Sequence, residues 1–437
     1  MKTIHLGLDD TDSDEGMCTT YLITLILERI MKEDIKLLDY PNLIRLNPNI
    51  PWRTRGNASL CLRLKTDNPE KIFKIAKRIM IKNSKSRNSG LVMLCGGKIP
   101  EKIVQFSQKC LSEEIKMNEM KKLVINEDIS YFGQGTKRGL IGALAGIGNT
   151  LNKDHTYELI GYRRKITGER GVSLESLIEI DKKKEYSMFS NIDYNNYRVL
   201  VTPHGKDPIL FALRGNSPRH LYKAMSELKL YEDVERFVIF RSNQGTNEHL
   251  KNILDPSNLK TYDSGYVIGE IVMKPIVIRG GHVFIKLQNQ KEEINCAVYA
   301  PTITLKKIAR NLEKGDIIEV GGGISKKSKE YGRILNVEYI KIIKLWKKII
   351  KKNPLCKKCN KSMKSKGRNN AYKCIKCGSE SDIIRKIIKD RGIQNGLYLP
   401  VPSAQRHLIK PIERYGNEKH KDNTKLRGDW FKIFEYN

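Results

Sequence analysis

Short apolar segments alternate with charged ones throughout the chain, and their spacing sorts them into helices and strands. His5 to Leu8 reads as a short apolar strand that runs into the acidic sequence Asp9-Asp10-Thr11-Asp12. From about Thr19 to Met31, Leu22, Ile26 and Ile30 recur at helical spacing with Tyr21 and Leu25 beside them, which predicts a helix. A strand from Ala58 to Lys65 and a helix from Pro69 to Ile81 continue an α/β pattern, with Asn68 as cap and Pro69 in the first turn. The glycine-rich stretch from Tyr131 to Gly148 contains Gly139-Leu-Ile-Gly-Ala-Leu-Ala-Gly146, and its tail predicts the opening of a tightly packed helix.

A second unit begins near Tyr197. Arg198 to Thr202 and Ile209 to Leu213 read as strands, Pro218 to Leu228 as a helix and Arg236 to Phe240 as a strand, a small open α/β domain rather than a Rossmann unit. From Gly265 to Ile340 helical periodicity nearly vanishes. Short strands there (Val267 to Val272, His282 to Leu287, Asn295 to Tyr299, Asp316 to Gly321, Leu335 to Ile340) are separated by turn residues. That pattern predicts an OB-fold barrel with the helix Thr304 to Leu312 inserted between its third and fourth strands. Lys341 to Lys352 reads as an amphipathic basic linker, and a helix is expected from Asp382 to Arg391 ahead of a tail rich in Arg and His.

Charge changes this picture most. The 437 residues carry 80 Lys and Arg against 49 Asp and Glu, a net charge of +31, and the length suits three to five domains. A polyanion is the default partner, with a lysine-rich compositional bias as the bland alternative. Distribution favours the partner: Lys341 to Lys376 holds fourteen Lys or Arg and no acidic residue. No apolar run approaches a membrane span, and the opening residues read straight into a strand, so neither membrane insertion nor a targeting peptide is expected.

Five of the nine cysteines are scattered, which argues for a reducing cytoplasm. The other four form two CxxC knuckles, Cys356-Cys359 and Cys374-Cys377, separated by 14 residues. Two such knuckles close a tetrahedral four-thiolate zinc site, and the alternative of redox pairs is weak because redox CxxC motifs occur singly. Near the N-terminus, Asp9, Asp10 and Asp12 crowd the end of a strand. Such carboxylates suit Mg²⁺ bridging to phosphates, or else form an exposed acidic turn. Cys18-Thr19-Thr20 opens the next helix, and its hydroxyls and first-turn amides form a plausible anion pocket beside them. There is no Walker A motif. Gly133-Gln-Gly-Thr-Lys137-Arg138-Gly139 could wrap phosphate through its amides and two cations, or be an ordinary glycine-rich turn.

Other features have two readings each. Arg53, Arg55, Gly56 and Asn57 could bind RNA or ATP, or cap a turn. His282 after Gly280-Gly281 is more often structural. Ser217 and Pro218 fit a helix start, with a ligand role as the other reading. Trp52, Trp346 and Trp430 are too scattered to define a stacking surface.

Taken in order, several blocks resemble the archaeal 2-agmatinylcytidine (agmatidine) synthetases of isoleucine tRNA. They are Gly7-Leu-Asp-Asp-Thr-Asp-Ser13 with Gly16-Met-Cys-Thr-Thr-Tyr21, Leu43-Ile-Arg-Leu-Asn-Pro48, and Pro51 with Thr54-Arg-Gly-Asn57. Arg138-Gly-Leu-Ile-Gly-Ala-Leu-Ala145, Gly280-Gly-His-Val-Phe284, the four-cysteine ribbon and Pro402-Ser-Ala-Gln-Arg-His-Leu408 complete the series. The resemblance covers essentially the whole chain. It implies a multidomain α+β protein with a kinase-like α/β N-terminal domain (1–196), a ferredoxin-like domain (197–262, its boundary open toward earlier segments), an OB-fold (263–345), a zinc ribbon with basic linker (346–381) and a C-terminal helix and basic tail (382–437).

It further implies a cytoplasmic ligase that uses ATP, converted to AMP and phosphate, to replace the C2 oxo group of the wobble cytidine with agmatine. The RNA is the CAU-anticodon isoleucine tRNA, gripped by its anticodon and stem regions, and the product pairs with adenosine so that AUA is read. By the resemblance, Asp9, Asp10 and Asp12 hold magnesium and Thr19 is an autophosphorylated catalytic threonine. Thr20, Lys137, Arg138 and Gly139 are the expected nucleotide contacts. Two rivals stand beside it: a non-catalytic tRNA-binding module, which leaves Asp9 to Asp12 without a task, and a generic ATP-dependent nucleic acid ligase, for which no KxDG motif is present.

Overall fold

The computed structural model describes the chain except residues 55, 126–127, 166–167, 329–331, 348, 368–370, 420–424 and 436–437. Its core is one ten-stranded sheet. In spatial order the main strands are Ile209–Gly215, Thr156–Arg163, Val234–Ser242, Asn42–Arg45, Ala58–Thr66, Lys2–Asp9, Gly90–Cys95 and Ile129–Gly133.

Residues alternate between the two faces of the strands. Ile4, Leu6, Leu8, Leu60, Leu62, Leu64, Leu91 and Met93 point to one side, beneath the helices Thr19–Ile30 and Pro69–Asn83. Ile44, Cys61, Val92 and Leu94 point to the other, beneath Glu101–Ser112, Met117–Val124 and Gly139–Gly148. Sequence reasoning finds the first pair of helices to within two residues and identifies the third-layer helix that starts at Gly139.

Strands that sequence reading assigns to separate domains are joined here. Thr156–Arg163, which precedes the boundary expected between residues 196 and 197, is hydrogen-bonded to Ile209–Gly215 on one side and Val234–Ser242 on the other. Val234–Ser242 then pairs in parallel with Asn42–Arg45 through Arg241 and Ser242 opposite Asn42 and Leu43, so the sheet is continuous across that seam. Arg241 is fully buried there, donating to Asp39 at 2.9 Å and to the Leu151 carbonyl at 2.6 Å.

The predicted barrel is a closed five-stranded one. Ser264–Ile271, Ile317–Ile324, Ile334–Lys344, Glu292–Val298 and Val283–Asn289 pair in turn, and Glu270 and Ile271 close the ring against Gln288 and Leu287. The helix Thr304–Arg310 lies between the third and fourth strands, as expected.

Beyond the barrel two expectations are corrected. The basic linker is largely strand: Ile334–Lys344 extends through Lys344, and Ile349–Lys352 follows. The helix expected from Asp382 to Arg391 is a strand, Arg385–Ile388, paired antiparallel with Ile349–Lys352. Ile383, Ile384, Ile387 and Ile388 fit either period. Their β-branched side chains and the free edge of the neighbouring strand decide for the ribbon. The tail then returns to the main body, where Phe431–Ile433 pairs with Val234–Ser242. Among the described residues no helix is long and apolar enough to cross a membrane.

Candidate active site and zinc centre

The acidic run leaves the sheet where the strand Lys2–Asp9 meets the helix Gly139–Gly148. Strand and helix come unusually close: a Cβ on Gly7 would lie 2.0 Å from the Ala143 carbonyl oxygen. The same closeness seats the Asp9 carboxylate, since a Cβ on Gly142 would fall 1.7 Å from its Oδ2. Asp10 turns the chain at a φ of 54°, and its N–H donates to Asp9 Oδ1 at 2.7 Å. The Ser86 hydroxyl donates to Asp10 Oδ1 at 2.7 Å.

Asp12 reaches the first turn of the helix Thr19–Ile30. Its Oδ1 accepts from the Thr19 hydroxyl at 3.4 Å and its Oδ2 from the Thr54 hydroxyl at 2.7 Å. Thr19 Oγ1 also accepts from the buried Thr11 hydroxyl at 3.1 Å. Cys18, the N-cap residue, makes no side-chain cap; its sulfur lies 3.0 Å from the Thr20 hydroxyl. Within the first turn the Tyr21 N–H donates to the Cys18 carbonyl at 3.0 Å.

Electrostatics mark this cluster. Burial, then the charge of Asp10, pushes the Asp9 carboxyl well above the usual carboxylate range. Asp10 is raised too, chiefly by burial and against the hydrogen bond from Ser86. Carboxylates penalised in this way for carrying charge fit a hard divalent cation, which relieves the repulsion.

These residues line one end of a cavity of about 510 Å³. Thr20, Arg138 and Gly139 line it as well. Arg138 stacks on Trp52, its guanidinium carbon 3.8 Å from the ring centroid, and Trp52 packs edge-on to Tyr262. Lys137, by contrast, is exposed and lies outside the lining, so of the cations expected in the glycine-rich turn the cavity brings in Arg138 and not Lys137. Arg53, Gly56 and Asn57 are in the wall, whereas Arg55 lies outside the described residues.

The far wall comes from residues that sequence reasoning does not single out. Glu158 Oε2 holds Arg45 at 3.0 Å and its Oε1 faces Arg214 at 3.5 Å. His407 opens onto the cavity against Gly56, and Arg45, then burial, then Arg214 keep its imidazole well below the ordinary histidine range, hence neutral. Glu158 did carry a signal, a lone carboxylate inside the apolar run Tyr157-Glu-Leu-Ile. Arg45 and His407 fall inside blocks already quoted, without a role attached.

The remaining residues resolve as structure. Ser217 Oγ accepts from the His220 N–H at 3.4 Å and caps the helix Pro218–Glu227. His282 Nδ1 accepts from the Ala300 N–H at 3.0 Å within the barrel. Trp346 is exposed and Trp430 stacks on Phe431.

Cys356, Cys359, Cys374 and Cys377 converge, with all four sulfurs within 4.8 Å of one another. Their close separations are 3.4 and 3.7 Å. A tetrahedron of thiolates about 2.3 Å from zinc has edges of about 3.8 Å, so the four sulfurs fit that metal. The knuckles sit on the small sheet Lys364–Ser365, Tyr372–Lys373 and Glu380–Ser381, carried on the two-stranded stalk.

Residues 5–80 match the family described as the TiaS TCKD domain, 137–249 the TiaS FLD domain and 353–393 the TiaS C-terminal zinc ribbon domain. The isoleucine-tRNA 2-agmatinylcytidine synthetase TiaS of Cenarchaeum symbiosum is 36% identical over 419 residues, covering 94% of this chain and 93% of its own length. The crystal structure of a complex of TiaS with its isoleucine tRNA and ATP superposes with a TM-score of 0.82 at 32% identity and covers 100% of both chains. That of TiaS with the same tRNA, AMPCPP and agmatine gives a TM-score of 0.80 at 31% identity, covering 95% of this chain and 98% of its own.

Proposed function

The chain belongs to the isoleucine-tRNA 2-agmatinylcytidine synthetase family, and on that premise we propose that its chemistry is carried by Asp9, Asp10, Asp12 and Thr19 in the cavity between the two halves of the main sheet. The protein is an ATP-dependent ligase that joins agmatine to the wobble cytidine of isoleucine tRNA. The observation that carries the site assignment is the position of the Thr19 hydroxyl. It lies at a helix N-terminus, accepts from Thr11 and donates to Asp12, all within one cavity.

The chemistry needs such a site. The C2 oxygen of cytosine is a poor leaving group; one phosphoryl group from ATP converts it into phosphate that a neutral amine displaces, and a second, passed to Thr19 and released from it by water, leaves AMP. Asp12 accepts the hydrogen bond of the Thr19 hydroxyl and so orients that oxygen as a phosphoryl acceptor. The N-terminus of the helix and Arg138 face the phosphates, with Trp52 fixing the guanidinium. Asp9, Asp10 and Asp12 would hold Mg²⁺, which when bound offsets charge on the phosphates. The cytidine must leave its anticodon stack to enter the cavity, and the barrel and ribbon grip the tRNA at its anticodon and stem regions meanwhile. We place the enzyme in the cytoplasm, a reading supported by the dispersed cysteines and by the tRNA substrate.

The test incubates purified protein with ATP, agmatine and a CAU-anticodon isoleucine tRNA transcript, then follows AMP and the mass of the wobble nucleoside. Agmatidine should form, with AMP release requiring agmatine and tRNA together. AMP release indifferent to both, with an unmodified cytidine, would overturn the reading.

A further inference from the structure

His407 stands in the cavity wall, yet it belongs to a segment that reaches the site only after the barrel and the ribbon. What fixes it there is a buried guanidinium. Arg414 is 0% exposed and every one of its nitrogens is engaged. Its Nε donates to Asn216 Oδ1 at 3.0 Å, and Nη1 and Nη2 donate to Asp154 at 3.2 and 2.7 Å. Nη1 also donates to the Gly245 carbonyl at 2.6 Å.

The position of those partners gives the contact its meaning. Asp154 precedes the strand bearing Glu158, Asn216 follows the strand bearing Arg214, and Gly245 follows the strand that lies beside them. One guanidinium thus ties together the ends of three neighbouring strands, two of which supply the far wall of the cavity. The same Gly245 residue donates its N–H to the His407 carbonyl at 2.8 Å. Gly245 holds a left-handed φ of 68°, which lets its N–H and C=O serve both residues. The Asn247 N–H bonds the Leu408 carbonyl at 2.8 Å, so the attachment continues along the segment.

Resting on the function proposed above, we propose that Arg414 is a positioning residue for the modification reaction, acting through Gly245 to hold His407 in the cavity wall. A buried ion pair is a costly way to attach a tail, since apolar contacts of the same volume do so without desolvating charge. Its return is direction: a fork of fixed geometry sets where the next bonded peptide lies.

The experiment is a double-mutant cycle on the full chain with tRNA, ATP and agmatine. Asp154→Asn removes the charge that orients Arg414 while keeping its shape, and His407→Ala removes the group being positioned. Asp154→Asn should lower kcat by roughly 10- to 100-fold with tRNA affinity unchanged. In the His407→Ala background it should cost less than about twofold, because the two changes remove one arrangement. Gly245→Ala, which strains the left-handed peptide and sets a Cβ 3.6 Å from Arg414 Cδ while keeping both charges of the ion pair, should behave as Asp154→Asn does, and it serves in its place if that variant does not fold. Losses that simply multiply, or a His407→Ala variant with full turnover, overturn the proposal. Failure of the unaltered chain to make agmatidine would instead overturn the function on which it rests.

Discussion

Two sites suited to metals lie far apart in the sequence of this chain. In the ribbon, all four ligands come from two knuckles 14 residues apart, carried on three two-residue strands with a small cluster of Cys356, Met363 and Cys374 for a core. Beside the main sheet, Asp9, Asp10 and Asp12 share one short segment with Thr19 and Thr20, but the rest of their site lies elsewhere in the chain. Thr54, Glu158, Arg214 and His407 arrive from four further segments. The ribbon has almost no core without its metal, so the metal is part of its fold. The acidic cluster has a complete fold around it and bears an electrostatic penalty within it. In one region the ion supplies structure; in the other, on the function proposed above, a complete fold would receive it.

Substitutions sharpen or break that contrast. Asp12→Asn should have the largest effect, lowering agmatidine formation on the order of 10³-fold while tRNA affinity by filter binding stays within a factor of two or so. Equal loss of both would mean that the cluster is scaffolding. Cys374→Ser should unfold the ribbon and weaken tRNA binding roughly tenfold or more, with a shallower salt dependence as phosphate contacts are lost. ATP binding to the main body, followed by calorimetry, should be untouched.

Asp9→Asn tests the penalty itself. A carboxyl raised in the folded state disfavours folding wherever it must be charged. The substitution should therefore raise the melting temperature at neutral pH in magnesium-free buffer, by about 2–4 °C. The gain should vanish as pH falls below the unfolded carboxylate range, where the group is protonated in both states. A lower melting temperature at neutral pH would show that Asp9 is stabilising and collapse the distinction between the regions.

The same contrast explains what could be read without coordinates. Cys356 to Cys377 are legible because a tetrahedral site imposes its geometry on local spacing. The helices Thr19–Ile30 and Pro69–Asn83 and the alternating barrel strands are legible because each buries one face with a fixed period. Lys137 and Arg138 are adjacent cations in one turn, and only the local φ of 61° at Lys137 and the ring of Trp52 separate the exposed one from the one in the cavity. Glu158, Arg45 and Arg214 gain their meaning from cross-strand pairing over 113 and 56 residues, which no local pattern encodes. The helix expected at Asp382 to Arg391 fails for the same reason. Paired isoleucines leave the period ambiguous, and a strand more than 30 residues upstream settles it.

The return of His407, Arg414 and Phe431–Ile433 to the main body also has a consequence for the order of events at birth. At a synthesis rate of about 5–20 residues per second, Asp12 leaves the ribosome roughly 20–80 s before Arg414 does. Throughout that interval the nascent chain holds its acidic run and its threonines but has no Arg414 to join the three strand ends. Nor does it have the strand Phe431–Ile433 beside Val234–Ser242. A truncated translation product therefore lacks His407 from the cavity lining, and the full lining exists only in a chain whose synthesis has passed the ribbon.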